Sequence, residues 1–163
     1  MGIRNAAKAV IIKDGKILLI KCKNVVDENF FNLPCGAIYY DLPGGGQNHF
    51  EALTDALRRE VLEETGHAIA HARLAAIYEE IAANEKYRRD YPEYCHKVHF
   101  VFVCRISDAP RVATAKADLG ALCSEWIDLA RLDEIVILPD AIKANLRRIA
   151  DSDGIIYLGS EHV

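Results

Sequence analysis

Three acids on one helical face are the first feature of this chain that could do chemistry. Glu60, Glu63 and Glu64 fall in the run Arg59-Glu60-Val61-Leu62-Glu63-Glu64. On an α-helix of 3.6 residues per turn they share an arc of ~100°. Leu53, Leu57, Glu60 and Glu64 form a single stripe, apolar for two turns and acidic for the next two. The leucines predict that this stripe faces the protein body. Carboxylates held so close repel one another, and desolvation pushes them further toward protonation. A hard divalent cation relieves both penalties, and carboxylate oxygen is the donor that Mg²⁺ or Mn²⁺ prefers. The helix macrodipole disfavours acids near a C-terminus, so helix stability does not account for them. Arg59, four residues before Glu63, is placed to hold it by a charge-assisted bond. The competing reading is a solvated acidic face balanced by Arg58 and Arg59. The turn of the stripe from Leu to Glu, and the glycines upstream, favour the cation.

Those glycines are Gly44, Gly45 and Gly46, after Pro43. Backbone N–H groups there can approach phosphate oxygens without hindrance from a Cβ, and a carbonyl there can turn toward a metal. Alone, such a run is usually only a turn. No Gly-Lys-Ser/Thr follows, so it is not a Walker loop. Asn48-x-x-Glu51 fits a helix capping box, which gives Glu51 either a capping role or a supporting role behind the acids.

The elements that must position these groups follow from the pattern. Residues 7–12 and 16–22 read as two strands joined by the turn Asp14-Gly15. Residues 24–36 read as a loop, 38–42 as a short strand and 48–65 as a helix. Residues 70–81 and 96–106 are predicted strands, the second alternating Val98, Phe100, Phe102 and Cys104. A polar, Tyr-rich loop spans 84–94. Residues 126–129 suggest a short edge strand, Pro139 opens a last helix to about residue 150, and 155–158 form a short apolar tail. This order suggests one α/β domain over residues 1–163, with a mixed sheet between helices.

Bulk properties bound the partners. A chain of 163 residues suits one domain. Its net charge of −4 argues against a nucleic-acid polymer as partner, since phosphate backbones are held by clustered Lys and Arg. The apolar runs are too short to span a bilayer, and residues 1–5 lack a signal-peptide pattern. Cys22, Cys35, Cys95, Cys104 and Cys123 are odd in number and never spaced C-x-x-C, which reads as reduced thiols in a cytoplasmic protein.

At this point the residues resemble a known family. Gly45, five residues, Glu51, seven residues, then Arg59-Glu60-Val61-Leu62-Glu63-Glu64-Thr65-Gly66 is similar to the Nudix box. The resemblance covers residues 45–67 and departs only at its end, where His67 stands in place of an aliphatic residue. It implies a Nudix-like α/β/α sandwich with a mixed β-sheet. It also implies a pyrophosphohydrolase that cuts a phosphoanhydride bond with Mg²⁺, or Mn²⁺ in its place. Glu60 and Glu64 would be the main metal ligands, Glu63 a further one, and the Gly45 carbonyl a backbone ligand. Arg59 would orient the glutamates, and bound metal would activate water and neutralise the diphosphate. The general base would be Glu63, Glu64, Glu79, Glu80, Glu85 or Glu93. The substrate would be a nucleoside diphosphate linked to another group, or a nucleoside triphosphate. The runner-up is a non-catalytic nucleotide-binding module on the same fold.

The rest of the substrate needs its own contacts. Besides Gly44 and Gly46, Arg88 or Arg89 is placed to hold a phosphate, and Tyr87, Tyr91 or Tyr94 to stack on a base. The same Tyr-rich segment also reads as a solvated connection or a contact between two copies of the chain. Of Tyr39 and Tyr40, on opposite faces of a strand, one is expected in the core and the other, Tyr40 among the candidates, at the cleft. His96 and His99 are read as structural, and Trp126 as a cap on the core.

Overall fold

The computed structural model describes residues 2–25, 33–114 and 120–163. Residues 26–32 of the expected loop 24–36 therefore lie outside it. Strand β1 (Arg4–Lys13) turns into β2 (Lys16–Lys23) at Asp14 and Gly15, whose φ angles of 51° and 73° are what the tight hairpin turn requires. β3 (Ile38–Asp41) is followed by β4 (Gly44–Gly46), so the glycine run is a strand rather than a loop. Helix α1 (Leu53–Thr65) comes next, then β5 (Ile69–Ile81), helix α2 (Glu85–Asp90), β6 (His96–Ile106), β7 (Ala121–Asp128), β8 (Ile137–Leu138), helix α3 (Asp140–Asp151) and β9 (Ile156–His162).

The hairpin holds the sheet together and also divides it. β1 and β2 pair only at Ile12↔Ile17 and Lys13↔Lys16, beside the turn. From there β1 runs in one part of the sheet, antiparallel to β4 and parallel to β6, with β5 and β9 beyond. β2 runs in the other, with β3 and β7 on its sides and β8 on β3. The sheet is thus mixed, as expected. Period-two alternation on β1 supplies both cores. Ala7, Ala9 and Ile11 meet Leu57 and Val61 of α1 on one face, with Phe102 and Cys104 of β6. Val10 joins Ile17, Leu19, Tyr78 and Val101 under Ile142, Leu146 and Ile149 of α3 on the other. Helices on both faces make the α/β/α sandwich.

Several boundaries move for physical reasons. Helix α1 starts at Leu53 rather than at residue 48, behind an N-cap Ala52 that offers no side-chain bond. Phe50 has φ 64°, a conformation no helix accepts, so the turn before it is separate. The expected loop 84–94 contains α2, capped by the Asn84 side chain, which accepts from the Tyr87 N–H. β7 is eight residues long, where a four-residue strand was expected, because it pairs with β2 from Lys16↔Asp128 to Cys22↔Ala121. The tail is strand β9, parallel to β5. Among the described residues no helix is long and apolar enough to cross a membrane.

His99 on β6 is 3% exposed, and neither ring nitrogen has a hydrogen-bond partner. Burial, with Lys97 and Lys8 nearby, pushes its pKa down to about 2. The unfolded chain protonates this imidazole near pH 6.5. A depressed histidine therefore contributes fully above that pH and loses its contribution as the pH falls toward the folded value. Below pH 6 the parent should lose about 1.4 kcal/mol per pH unit relative to His99→Leu. Urea midpoints at pH 7, 6 and 5 would check this, and parallel pH profiles for parent and variant would refute it.

Candidate active site at the glycine strand and helix α1

β4 is an edge strand, and its register decides which backbone groups face outward. Ala9 N–H donates to Pro43 O (2.8 Å) and Gln47 N–H to Asn5 O (3.0 Å), which brackets Ala7↔Gly45 as the hydrogen-bonded pair between them. The N–H and carbonyl of Gly45 thus turn toward β1. Those of Gly44 and Gly46 turn away from the β1 backbone, and Gly44 N–H and Gly46 O meet α1. Glu64 Oε2 accepts from Gly44 N–H at 2.7 Å, and Arg59 Nη2 donates to Gly46 O at 3.0 Å. The contribution of Gly45 is the Cβ it lacks: one placed there would stand 2.6 Å from Glu60 Cδ.

The buried side of α1 is Ala56, Leu57, Val61 and Thr65. Glu60 and Glu64 sit on the shoulder of that stripe, not within it as the Leu-to-Glu spacing suggested, because Val61 and Thr65 occupy the inward positions. That shoulder faces β4, which brings both carboxylates against the glycines. Glu63 lies further out, its side chain 36% exposed and 3.7 Å from Arg59.

Arg59 is the hub of the site: it pairs with Glu63 as expected, at 3.7 Å, but its closest bonds go to Glu51 and Glu60. Its Nε and Nη2 donate to the two oxygens of Glu51, both at 2.8 Å, a bidentate pair. Nη1 donates to Glu60 Oε1 at 2.6 Å. Glu51 also accepts from Asn48 N–H at 2.9 Å, but the helix begins beyond it, so it braces Arg59 rather than capping α1. The Arg59 bonds, with help from Asn48, hold the Glu51 carboxyl down to about 2, and the same pairing raises the Arg59 pKa.

Lys8 was not singled out in the sequence, although a lysine within the apolar run of β1 is the signal that could have found it. It is buried, and its Nζ donates to Asp41 Oδ2 (2.7 Å), Leu42 O (3.2 Å) and Gly44 O (2.9 Å). Burial alone would lower its pKa, but the charges of Asp41 and Glu64 outweigh that and raise it. Lys8 therefore stays charged and clamps the segment that leads into the glycines. Lys8→Met should reduce unfolding free energy by about 2 kcal/mol, less than the 3–5 typical of a broken buried pair because Asp41 is partly exposed. Urea unfolding checks this, and an unchanged midpoint would refute the clamp.

The remaining candidates lie elsewhere. Tyr40 is in the α3-side core, and its hydroxyl donates to Glu125 at 3.1 Å, so it does not border a cleft. Arg88 Nε donates to the Ala82 carbonyl, while Arg89 is exposed and paired with Asp90 at 3.3 Å. Tyr87 and Tyr91 stack on each other at 5.3 Å. Glu79 pairs with His96 at 2.8 Å and accepts from Ser160, which lowers its pKa, and Glu80 pairs with Lys97 at 2.5 Å. Glu85 opens α2, and Glu93 lies in the 3₁₀ turn Pro92–Tyr94. His67 meets Trp126 edge-on at 6.2 Å.

Among the described residues, no three His, Cys, Asp or Glu side chains converge tightly enough to enclose a cation by themselves. The side-chain donors gathered at β4 are nevertheless all of one kind, the Glu60 and Glu64 carboxylates, while the carbonyls of Gly44 and Gly46 are already bound by Lys8 and Arg59. An all-oxygen set fits a hard cation such as Mg²⁺ or Mn²⁺ and suits a soft one poorly.

Comparison with known proteins bears on the fold and the family. The family model described as NUDIX domain matches residues 2–151. A NUDIX hydrolase from Nitrosomonas europaea superposes with TM-score 0.67 at 22% identity, over 90% of this chain and 87% of its own. A MutT NUDIX hydrolase from Burkholderia pseudomallei reaches TM-score 0.57 at 28% identity, over 82% and 86%. An ADP-ribose pyrophosphatase from Streptococcus suis reaches TM-score 0.60 at 18% identity, over 96% and 99%. No curated protein sequence matches the chain.

Proposed function

This chain belongs to the Nudix hydrolases, and from that premise we propose that it hydrolyses a phosphoanhydride bond in a nucleoside diphosphate linked to another group, or in a nucleoside triphosphate, with Mg²⁺ or Mn²⁺. The observation that carries the proposal is the placement of Glu60 and Glu64 on the glycine strand, one filling the Cβ space of Gly45 and the other bound to Gly44 N–H. These two carboxylates would hold the cation, with Glu63 beside them, while Lys8 and Arg59 bind the carbonyls of Gly44 and Gly46. When bound, the cation supplies charge neutralisation at the diphosphate and activation of water.

The chain's own residues do the rest. Arg59, braced by Glu51, keeps Glu60 turned to the strand. Lys8 holds Gly44 in place from the other side. We assign the base to Glu63 or Glu64 rather than to Glu79 or Glu80, whose carboxylates are already bound by His96 and Ser160 or by Lys97. Residues 1–163 act as one hydrolase domain. The five unbridged cysteines are consistent with a cytoplasmic setting.

The test is a panel of nucleotide sugars, dinucleotides, ADP-ribose and nucleoside triphosphates, assayed for monophosphate or phosphate release with Mg²⁺ and with Mn²⁺. Turnover of one class, lost on chelation, is expected. Thermal stabilisation by a nucleotide with no product over hours would overturn the proposal in favour of a binding module.

A further inference from the structure

Gly46 stands between two arginines. Arg59 donates to its carbonyl. On the side where a Cβ would project, Arg4 fills the space, its Cζ 2.6 Å from that position. The face is fixed by register: Ala6 is the partner of both Gly46 on β4 and His99 on β6, so the three project to one side. Arg4, two residues before Ala6, projects with them.

On this face the Arg4 guanidinium lies over the Tyr94 ring, 4.9 Å from its centroid. Gly2, Ile3, Arg4, Pro92 and Glu93 line a cleft of about 390 Å³, within the range of ~300–1,000 Å³ common to ligand pockets. Ile3 and Tyr94 are 58% and 39% exposed, apolar surface with no cover. The Arg4 donors make no hydrogen bond or ion pair among the described residues. His99, on the same face, has two buried ring nitrogens with no partner, an arrangement that is rare unless a ligand or water completes it.

We infer that the Arg4–Tyr94 cleft is a subsite for the nucleobase of a substrate whose diphosphate lies at Gly44–Gly46, Glu60 and Glu64. The inference rests on the hydrolase reading above and adds to it where the base goes. A phosphate in this cleft would face the Glu93 carboxylate. A sugar would leave the apolar surface of Ile3 and Pro92 unused. A nucleobase uses every wall: its ring packs on Ile3, Pro92 and the plane of the Arg4 guanidinium that Tyr94 backs, an acceptor on its edge takes the Arg4 donors, and an edge N–H donates to Glu93. Gly46 joins the two halves, because its carbonyl belongs to the Arg59 cluster and its open Cα face belongs to Arg4.

The test is an amide-resolved NMR titration of the full chain with Mg²⁺, using AMP, GMP, UMP, CMP and ribose 5-phosphate, none of which carries a phosphoanhydride bond to cut. At least one nucleoside monophosphate should shift the amides of Ile3, Arg4 and Tyr94, and ribose 5-phosphate should leave them unmoved. Arg4→Ala and Tyr94→Ala should each weaken that nucleotide about tenfold, in keeping with the loss of one stacked or paired contact. Ribose 5-phosphate binding at the glycine strand should not change, which a general loosening of the fold would not spare. Where Arg4→Ala melts early, Tyr94→Ala carries the comparison. Nucleotide shifts confined to Gly44–Gly46, equal cleft shifts with ribose 5-phosphate, or no shift with any nucleotide would each overturn the subsite. Failure of hydrolysis across the substrate panel, with cleft shifts intact, would instead overturn the hydrolase reading.

Discussion

Glu64→Gln should lower kcat with Mg²⁺ by about 10³-fold or more while leaving the fold intact. The amide can still accept from Gly44 N–H, so the 2.7 Å contact that seats the side chain survives. What disappears is the negative charge, and with it the cation. Charge stabilisation by a bound metal is worth several kcal/mol, at about 1.4 kcal/mol per factor of ten. Glu60→Gln should behave similarly, with part of its effect arising from the lost ion pair to Arg59 at 2.6 Å. Glu63→Gln should cost less than either, about 10²-fold, the low end of what a general base supplies, because that side chain is further from the strand and more exposed. Steady-state rates beside thermal melts of all three variants would check the order. Turnover by Glu64→Gln within tenfold of the parent would remove Glu64 from the machinery.

Gly45→Ala should reduce kcat by about 10²-fold with little change in stability. The new methyl would stand 2.6 Å from Glu60 Cδ and 2.7 and 2.8 Å from its two oxygens. Arg59 holds that carboxylate from the other side, so relief requires Glu60 to leave its place. A displacement of this size at a reacting centre typically costs two orders of magnitude. In a Glu60→Gln background the same substitution should add almost nothing, since both changes act on one group. Additive losses in the double variant would refute the steric account. Gly44→Ala is the contrasting control. Gly44 has φ 124°, and a Cβ there would run into the Ala7 carbonyl, so that variant should lose stability as well as activity.

Much of the frame was readable along the chain because the forces that set it act locally. The hairpin follows from Asp14-Gly15, where two positive φ angles select those residues. Strand β6 follows from the alternation of Val98, Phe100, Phe102 and Cys104, and its observed bounds of His96–Ile106 are those expected. Helix α3 follows from Pro139 and a three-to-four spacing of Ile142, Leu146 and Ile149. Glycine runs defeat such reading. A strand is usually recognised by its side chains, and β4 has none, so only pairing with β1 made it a strand. The start of α1 lies later than the pattern suggests because Asn48 and Glu51 have the spacing of a cap and do bond, yet Phe50 between them has φ 64°, which no helix accepts.

By itself, then, the amino-acid sequence determined that three glutamates share one face of a helix behind a run of glycines, since a helix of known pitch places residues three and four apart together whatever surrounds it. Tertiary structure alone decided what those groups touch. The partner of Arg59 is eight residues away, the strand that receives Glu64 is twenty residues away, and Lys8 and Arg4 approach the glycines from more than thirty residues off. No periodicity spans such distances. They close because β1 pairs with β4 along one edge and buries its alternate residues under α1 and α3, so the sheet register chooses which charges meet the glycine strand.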